Sequence, residues 1–166
     1  MAKNSFAKII SSDIGSNCAY IYCITAETPV FKKDHKFLYI GQTRQSLGAL
    51  GRLAQHLSEN YEVNTFRQRV EATSKVNNVQ LENIYFYTMP FSPLKVFSTI
   101  DSYYREAVES LVQDKVLDWI ISSKFNVAVV SRVSNNTRIK LEKDVILESD
   151  RIFLDLKTSL QTDLLS

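Results

Sequence analysis

Two tyrosines, an arginine, a histidine and a glutamate give this 166-residue sequence the side chains that phosphate chemistry requires. Tyr22 and Tyr39 lie in apolar runs that read as neighbouring strands, so their hydroxyls can meet near one sheet edge. Arg52 and His56 are four residues apart, one turn of a helix, and can address one phosphate from the same face. A guanidinium donates in pairs to phosphate oxygens and stays charged at any relevant pH. A free phenol titrates near about 10, so a tyrosine acting as base must be shifted by adjacent cations or share its proton. Arg52, His56 and a metal ion push that way. Glu109, or Glu106 one turn earlier, offers a carboxylate to Mg²⁺ (or Mn²⁺), an ion that sheds water reluctantly and is content with a single protein ligand. Base, cation on the non-bridging oxygens and metal for the leaving oxygen are the parts of phosphodiester hydrolysis.

The elements that must position these residues show as changes of hydrophobic period. Cys18 to Thr25 and Phe37 to Ile40 are rich in β-branched and aromatic residues and predict two strands. The polar segment holding Pro29, Lys32, Lys33, Asp34, His35 and Lys36 joins them as a solvated loop. Gly41 lets the backbone leave the second strand tightly. Ser46 then caps a helix with Leu47, Leu50, Leu53, Ala54 and Leu57 on its apolar stripe, running to about Asn60. Asn64 to Lys75 predicts a second helix with Phe66 and Val70 inward and with Arg67, Arg69 and Lys75 facing water or a ligand. Asn83 to Met89 is a third strand stopped by Pro90. Asp101 or Ser102 starts a long helix that buries Tyr104, Val108, Leu111, Val112, Trp119 and Ile120. Val127 to Val130 is a further strand or a segment packed beside the sheet. From about Ser149, Ile152, Leu156, Leu160 and Leu164 repeat every four residues, giving a terminal helix that packs on the core or meets a partner. The expected class is α/β (α+β): a small mixed or antiparallel three-stranded sheet flanked by helices over residues 15–130, with a helical C-terminal extension over 131–166.

In order along the chain stand Tyr20, Ile21 and Tyr22, then Tyr39, Ile40 and Gly41, then Arg52 and His56, then Glu109 after Val108, then Phe125, Asn126 and Val127. This constellation resembles the GIY-YIG nuclease superfamily over roughly residues 18–130. The resemblance implies a GIY-YIG-like fold and a single-metal endonuclease acting on DNA. It implies that Tyr22 activates the water, Tyr39 positions, Arg52 stabilises the pentacoordinate charge and His56 moves or shares a proton. It selects Glu109 over Glu106 as metal ligand, because Val108 before it and Leu111 and Val112 after it match the motif, and it gives Asn126 the task of closing the site. Tyr20 stands where the family's first triplet carries glycine. Gly41, Thr43 and Arg44 at the strand end, with Arg67, Arg69 and Lys75, are the expected nucleic-acid contacts.

Composition sets the frame. With 45% hydrophobic and 23% charged residues the chain can build an ordinary core, which excludes disordered and fibrous classes. Twenty Lys and Arg against eighteen Asp and Glu leave a net charge of +2, too little for a polycation that coats nucleic acid indiscriminately. Residues 31–75 hold eight basic and four acidic side chains, and 76–130 hold four and six, so the first half of the sheet carries the positive potential that draws a phosphate backbone. Cys18 and Cys23 have odd spacing on a strand and point to opposite faces, which argues against a disulfide. No run approaches the roughly 20 apolar residues of a membrane span, and Met1 to Ile10 lacks a leader's apolar stretch. The expectation is an intracellular, cytoplasmic protein without membrane contact. A single-site nuclease must act twice or pair to break both strands, so a homodimer through the terminal helix is one expected arrangement. The competing readings are an inactive module that binds nucleic acid or protein on the same scaffold, and a structural partner that uses the terminal helix.

Overall fold

The computed structural model describes residues 7–10, 19–29, 35–43, 48–58, 65–91, 99–131 and 142–164. Its elements are β1 (Ala7–Ile10), β2 (Tyr20–Glu27), β3 (Lys36–Thr43), α1 (Gly48–Leu57), α2 (Phe66–Ser74), β4 (Glu82–Pro90), α3 (Thr99–Ser123), β5 (Val127–Val129) and α4 (Lys143–Leu164). The strands form one mixed five-stranded sheet in the order β1-β4-β2-β3-β5. The three expected strands are its contiguous antiparallel centre, and β1 and β5 add parallel edges to β4 and β3. The fold is therefore α/β as expected, but the sheet is larger than the three strands read from sequence.

β2 occupies the middle because nearly every one of its residues is buried, which only a strand covered on both faces tolerates. Ile21, Cys23, Leu38, Ile40 and Tyr87 face one layer, where Val108, Val112, Val116 and Trp119 of α3 and Val145, Ile152, Leu156 and Leu160 of α4 cover them. Tyr20, Tyr22, Ile24, Phe37, Tyr39 and Phe86 face the other, under Ala49 and Leu53 of α1 and Phe66 and Val70 of α2. Cys23 is free and buried.

Helix ends follow from local chemistry. Thr65 caps α2 in a capping box with Gln68, and Lys75 ends it in the left-handed region at φ 59°. α3 ends likewise on Lys124 at φ 56°. There the Lys124 N–H donates to Ile121 and the Phe125 N–H to Ile120, both backbone carbonyls, so the last turn is closed and the chain turns back into β5.

Three expectations about elements change. The inward stripe of α1 is Ala49, Leu53 and His56, whereas Leu50 is 41% exposed and Ala54 also faces out. A rotation of the helix brings the imidazole inward in place of leucine. The terminal helix begins at Lys143, and its apolar stripe is buried within the core. Asp163 fixes its last turn, accepting from Lys36 through the backbone carbonyl and from the Tyr87 hydroxyl through the carboxylate. Of the expected stripe, Ile152, Leu156 and Leu160 are buried in the core, while Leu147 and Leu154 on the same helix are exposed. Ser46, Leu47 and Asn60 lie outside the described residues, as does Cys18. Among the described residues no helix is long and apolar enough to cross a membrane.

Candidate active site

Strand pairing builds the centre. Tyr22 on β2 is directly opposite Gly41 on β3, and its phenol lies across the glycine. A Cβ placed on Gly41 would sit 2.3 Å from the Tyr22 hydroxyl oxygen and 2.9 Å from the Tyr39 ring. Gly41 is buried within β3, which continues to Thr43, so its task is to leave room for the phenol. The expectation that it releases the backbone from the strand is corrected accordingly.

The Tyr22 hydroxyl is 2.6 Å from His56 Nε2 and accepts from Arg52 Nε at 3.3 Å. Arg52 Nη1 donates to Gln55 Oε1 at 2.8 Å, which steadies the guanidinium on its own helix. On the other side of the imidazole, the Phe66 backbone N–H donates to Nδ1 at 2.9 Å. Phe66 is the first residue of α2, where N–H groups have no partner within the helix, so the imidazole caps that helix. An Nδ1 that accepts leaves the ring proton on Nε2, and His56 therefore donates to Tyr22. Burial, Arg52 and Arg69 lower its pKa to about 3, and the positive end of α2 acts in the same sense. His56 shares its proton with the phenol and is not placed to take one.

This ring state gives a direct expectation. Because its pKa in the folded protein lies below the unfolded value of 6.5, the unfolded chain binds the extra proton first, and stability falls as pH drops from about 6.5 towards 3. A ring-proton titration followed by NMR should leave His56 neutral at pH 5. An imidazolium signal there would contradict the assigned tautomer.

Tyr39 completes an aromatic wall. Its ring stacks near Tyr22, with centroids 6.1 Å apart, and lies 4.8 Å from His56. The Arg69 guanidinium is 5.6 Å from the Tyr39 centroid. β5 covers β3 only as far as Leu38, so beyond that residue the edge of β3 is satisfied by side chains. Ser131 Oγ accepts from the Ile40 N–H at 2.6 Å, and Gln113 Nε2 donates to the Ile40 carbonyl at 3.1 Å. The same Gln113 nitrogen donates to Glu109 Oε1 at 3.0 Å. The uncovered strand edge thereby draws α3 and its glutamate to the site. Burial, then Glu106, raises the Glu109 pKa to about 8 against the pull of Arg52, Arg69 and the Gln113 bond. Glu109 in turn raises both tyrosines, Tyr39 more prominently. The carboxylate and both guanidiniums thus share one electrostatic neighbourhood.

Five of the six expected catalytic residues, Tyr22, Tyr39, Arg52, His56 and Glu109, converge here. The sixth does not. Asn126 bonds His35 Nδ1 through Oδ1 at 2.9 Å and accepts the Lys36 N–H at 3.2 Å through its backbone carbonyl. Lys36 starts β3, five residues from Gly41 along an extended strand, a span of roughly 16 Å. Asn126 ties β5 to the far end of that strand.

The expected nucleic-acid contacts also divide. Thr43 is buried opposite Tyr20. Arg67 gives Nε to Leu57 O at 3.1 Å and Nη1 to Val79 O at 2.6 Å, which ties α2 to the chain on either side of it. Lys75 is the exposed cap at the end of α2, and Arg44 lies outside the described residues. Arg69, expected to face water or a ligand, lies with its guanidinium over the Tyr39 ring. Its place three residues after Phe66, on the same side of α2, is the signal that could have found it.

Among the described residues no group of three or more His, Cys, Asp or Glu side chains is set to hold a metal ion. Glu109 with Glu106 nearby is the carboxylate pair available. Compared with protein-family models, curated proteins and solved structures, the chain matches none.

Proposed function

We propose that the chain is a metal-dependent endonuclease that hydrolyses phosphodiester bonds, with DNA as substrate, on a GIY-YIG-like scaffold. The observation that carries this reading is the phenol oxygen of Tyr22, which receives hydrogen bonds from Arg52 and His56 while Glu109 shares their electrostatic neighbourhood. Two N–H donors aimed at one phenol oxygen favour its phenolate, the form able to take a proton from water. Burial and Tyr39 hold Tyr22 above the usual phenol value, and Arg52 opposes them. More positive charge is needed beside it.

The donor set fits a divalent cation. Burial first, and then Glu106, holds the Glu109 carboxyl above its usual range, and Mg²⁺ is satisfied by one carboxylate together with water and phosphate oxygens. Glu109, with Glu106 behind it, would hold the ion, and the bound cation would neutralise charge on the leaving oxygen and lower the phenol's pKa. Tyr22 would accept the proton of the attacking water. Arg52 would donate from the guanidinium to a non-bridging oxygen as negative charge grows on phosphorus. Tyr39 would hold the Tyr22 ring and exclude solvent, and His56 would keep its Nε2 proton on the phenol oxygen.

Supercoiled plasmid with Mg²⁺ tests the reading. Arg52→Ala should slow nicking by on the order of a hundredfold, the usual cost of one lost transition-state donor. Parent-like cutting by that variant would remove Arg52 from the mechanism. The second reading, an inactive module that binds nucleic acid or protein, is favoured by the burial that holds Tyr22 protonated. Binding of DNA without cleavage under Mg²⁺ or Mn²⁺ would select it.

A further inference from the structure

Arg69 is spent differently from Arg67 and Arg151. Arg67, two residues earlier on the same helix, gives its arms to two backbone carbonyls. Arg151 on α4 is paired with Glu148 and Asp155 and donates to Pro90 O. Among the described residues the Arg69 side chain has one hydrogen bond, Nη1 to the Val130 carbonyl at 3.2 Å, and the ring of Tyr39 at 5.6 Å. Its Nε is buried without an acceptor among the described residues, and no carboxylate lies within ion-pair distance of it among them. Arg69 as a whole is only half-buried, and a guanidinium that keeps a spare donor is matched best by an anion.

The arm is also held in place. The Thr65 capping box fixes where α2 begins, Phe66 and Val70 bury the helix in the core, and the Val130 carbonyl holds one nitrogen. The Arg69 guanidinium stands by the Tyr39 ring, whereas Arg52 donates to the Tyr22 hydroxyl. The two cations thus approach the phenol pair from different helices.

We propose that Arg69 is a substrate-binding residue that grips a backbone phosphate of the nucleic acid from the α2 side, as the counterpart of Arg52 on α1. This rests on the nuclease reading only so far as the substrate is a polynucleotide; it does not require that the chain cleave it. Two guanidiniums from different helices beside one phenol pair suit a ligand with repeated phosphates better than a single small phosphate ester.

The test is the salt dependence of binding, measured with a 20-base-pair DNA duplex and the metal-free full chain. Each neutralised phosphate contributes about 0.9 to the slope of log affinity against log salt. Arg69→Gln should lower that slope by about one and weaken binding about tenfold at low salt. Arg69→Lys, which keeps the charge, should retain the slope. A folded Arg69→Gln protein with the parent's slope overturns the proposal, because loss of packing alone changes melting temperature and not counterion release. Should Arg69→Gln fail to fold, the parent decides: its buried Arg69 Nε–H, assigned in NMR spectra by comparison with Arg69→Lys, should shift when the duplex is added, and an unmoved signal at saturation overturns the proposal. A parent that binds DNA with the expected slope and cuts nothing overturns the nuclease reading alone. A parent that binds no nucleic acid at low salt overturns both.

Discussion

Glu109→Gln should make the protein more stable and abolish the proposed metal-dependent cutting. The sign comes from linkage. The Glu109 pKa rises from 4.5 to about 8 on folding, first through burial and then through Glu106, so between those values the folded state holds a proton that the unfolded chain has lost. Its contribution is therefore lost as pH rises from about 4.5 through 8. Glutamine carries no charge to bury. In chelator at pH 8.5 the variant should exceed the parent by about 2–4 kcal/mol, after a discount for the partial exposure of the carboxylate, and the two should converge near pH 4.5. Mg²⁺ should raise the melting temperature of the parent and leave that of the variant in place. Cleavage should fall at least a thousandfold if the carboxylate is the metal's protein ligand. Denaturant melts across this pH range, with plasmid nicking alongside, check both halves. A variant less stable than the parent at pH 8.5 would mean that Glu109 is an ordinary structural carboxylate. Unchanged nicking would mean that it holds no catalytic cation.

What sequence reasoning captured was the part governed by local rules. The three central strands are β-branched and aromatic through their length, and the second helix expected over Asn64 to Lys75 is present as Phe66–Ser74. The step from Arg52 to His56 follows from helical periodicity alone, and Glu109 lies where the long helix repeats its apolar face. What escaped is set by tertiary context. β1 is four residues long, AKII, and exists because β4 offers it an edge. The first two turns of α4 mix Asp144, Glu148 and Asp150 with apolar residues, which hides the period there. Asn126 and the inward turn of Arg69 depend on which end of β3 the strand β5 joins and on how α2 rolls over Tyr39. Neither is encoded in neighbouring residues. The imidazole of His56 is a related case: its burial looks unfavourable in sequence, and becomes consistent once the first N–H of α2 occupies one ring nitrogen and the Tyr22 phenol the other.

Gly41→Ala should disable the site more completely than removal of any one polar group, because the added methyl acts on all of them through one ring. A Cβ 2.3 Å from the Tyr22 oxygen and 2.5 Å from the carbon that bears it cannot be absorbed by a small side-chain adjustment. The phenol is rigid, and it is confined by Tyr39, His56 and Phe86. Nor can the strands separate freely, since β2 is bonded to β3 along one edge and to β4 along the other. The ring must therefore leave its place, and both the 2.6 Å contact with His56 and the Arg52 bond leave with it. Overpacking of this kind costs about 1–3 kcal/mol, so the fold should survive with a lower melting temperature. Cleavage should fall at least a thousandfold. Gly41→Ala combined with Tyr22→Phe separates steric from chemical loss: removing the hydroxyl takes away the nearest clashing atom and should return part of the lost stability with no return of cutting. A Gly41→Ala protein that retains both parent stability and parent cleavage would show that Tyr22 does not lie across Gly41, and the hydrogen-bonded phenol at the centre of the proposed mechanism would have to be placed elsewhere.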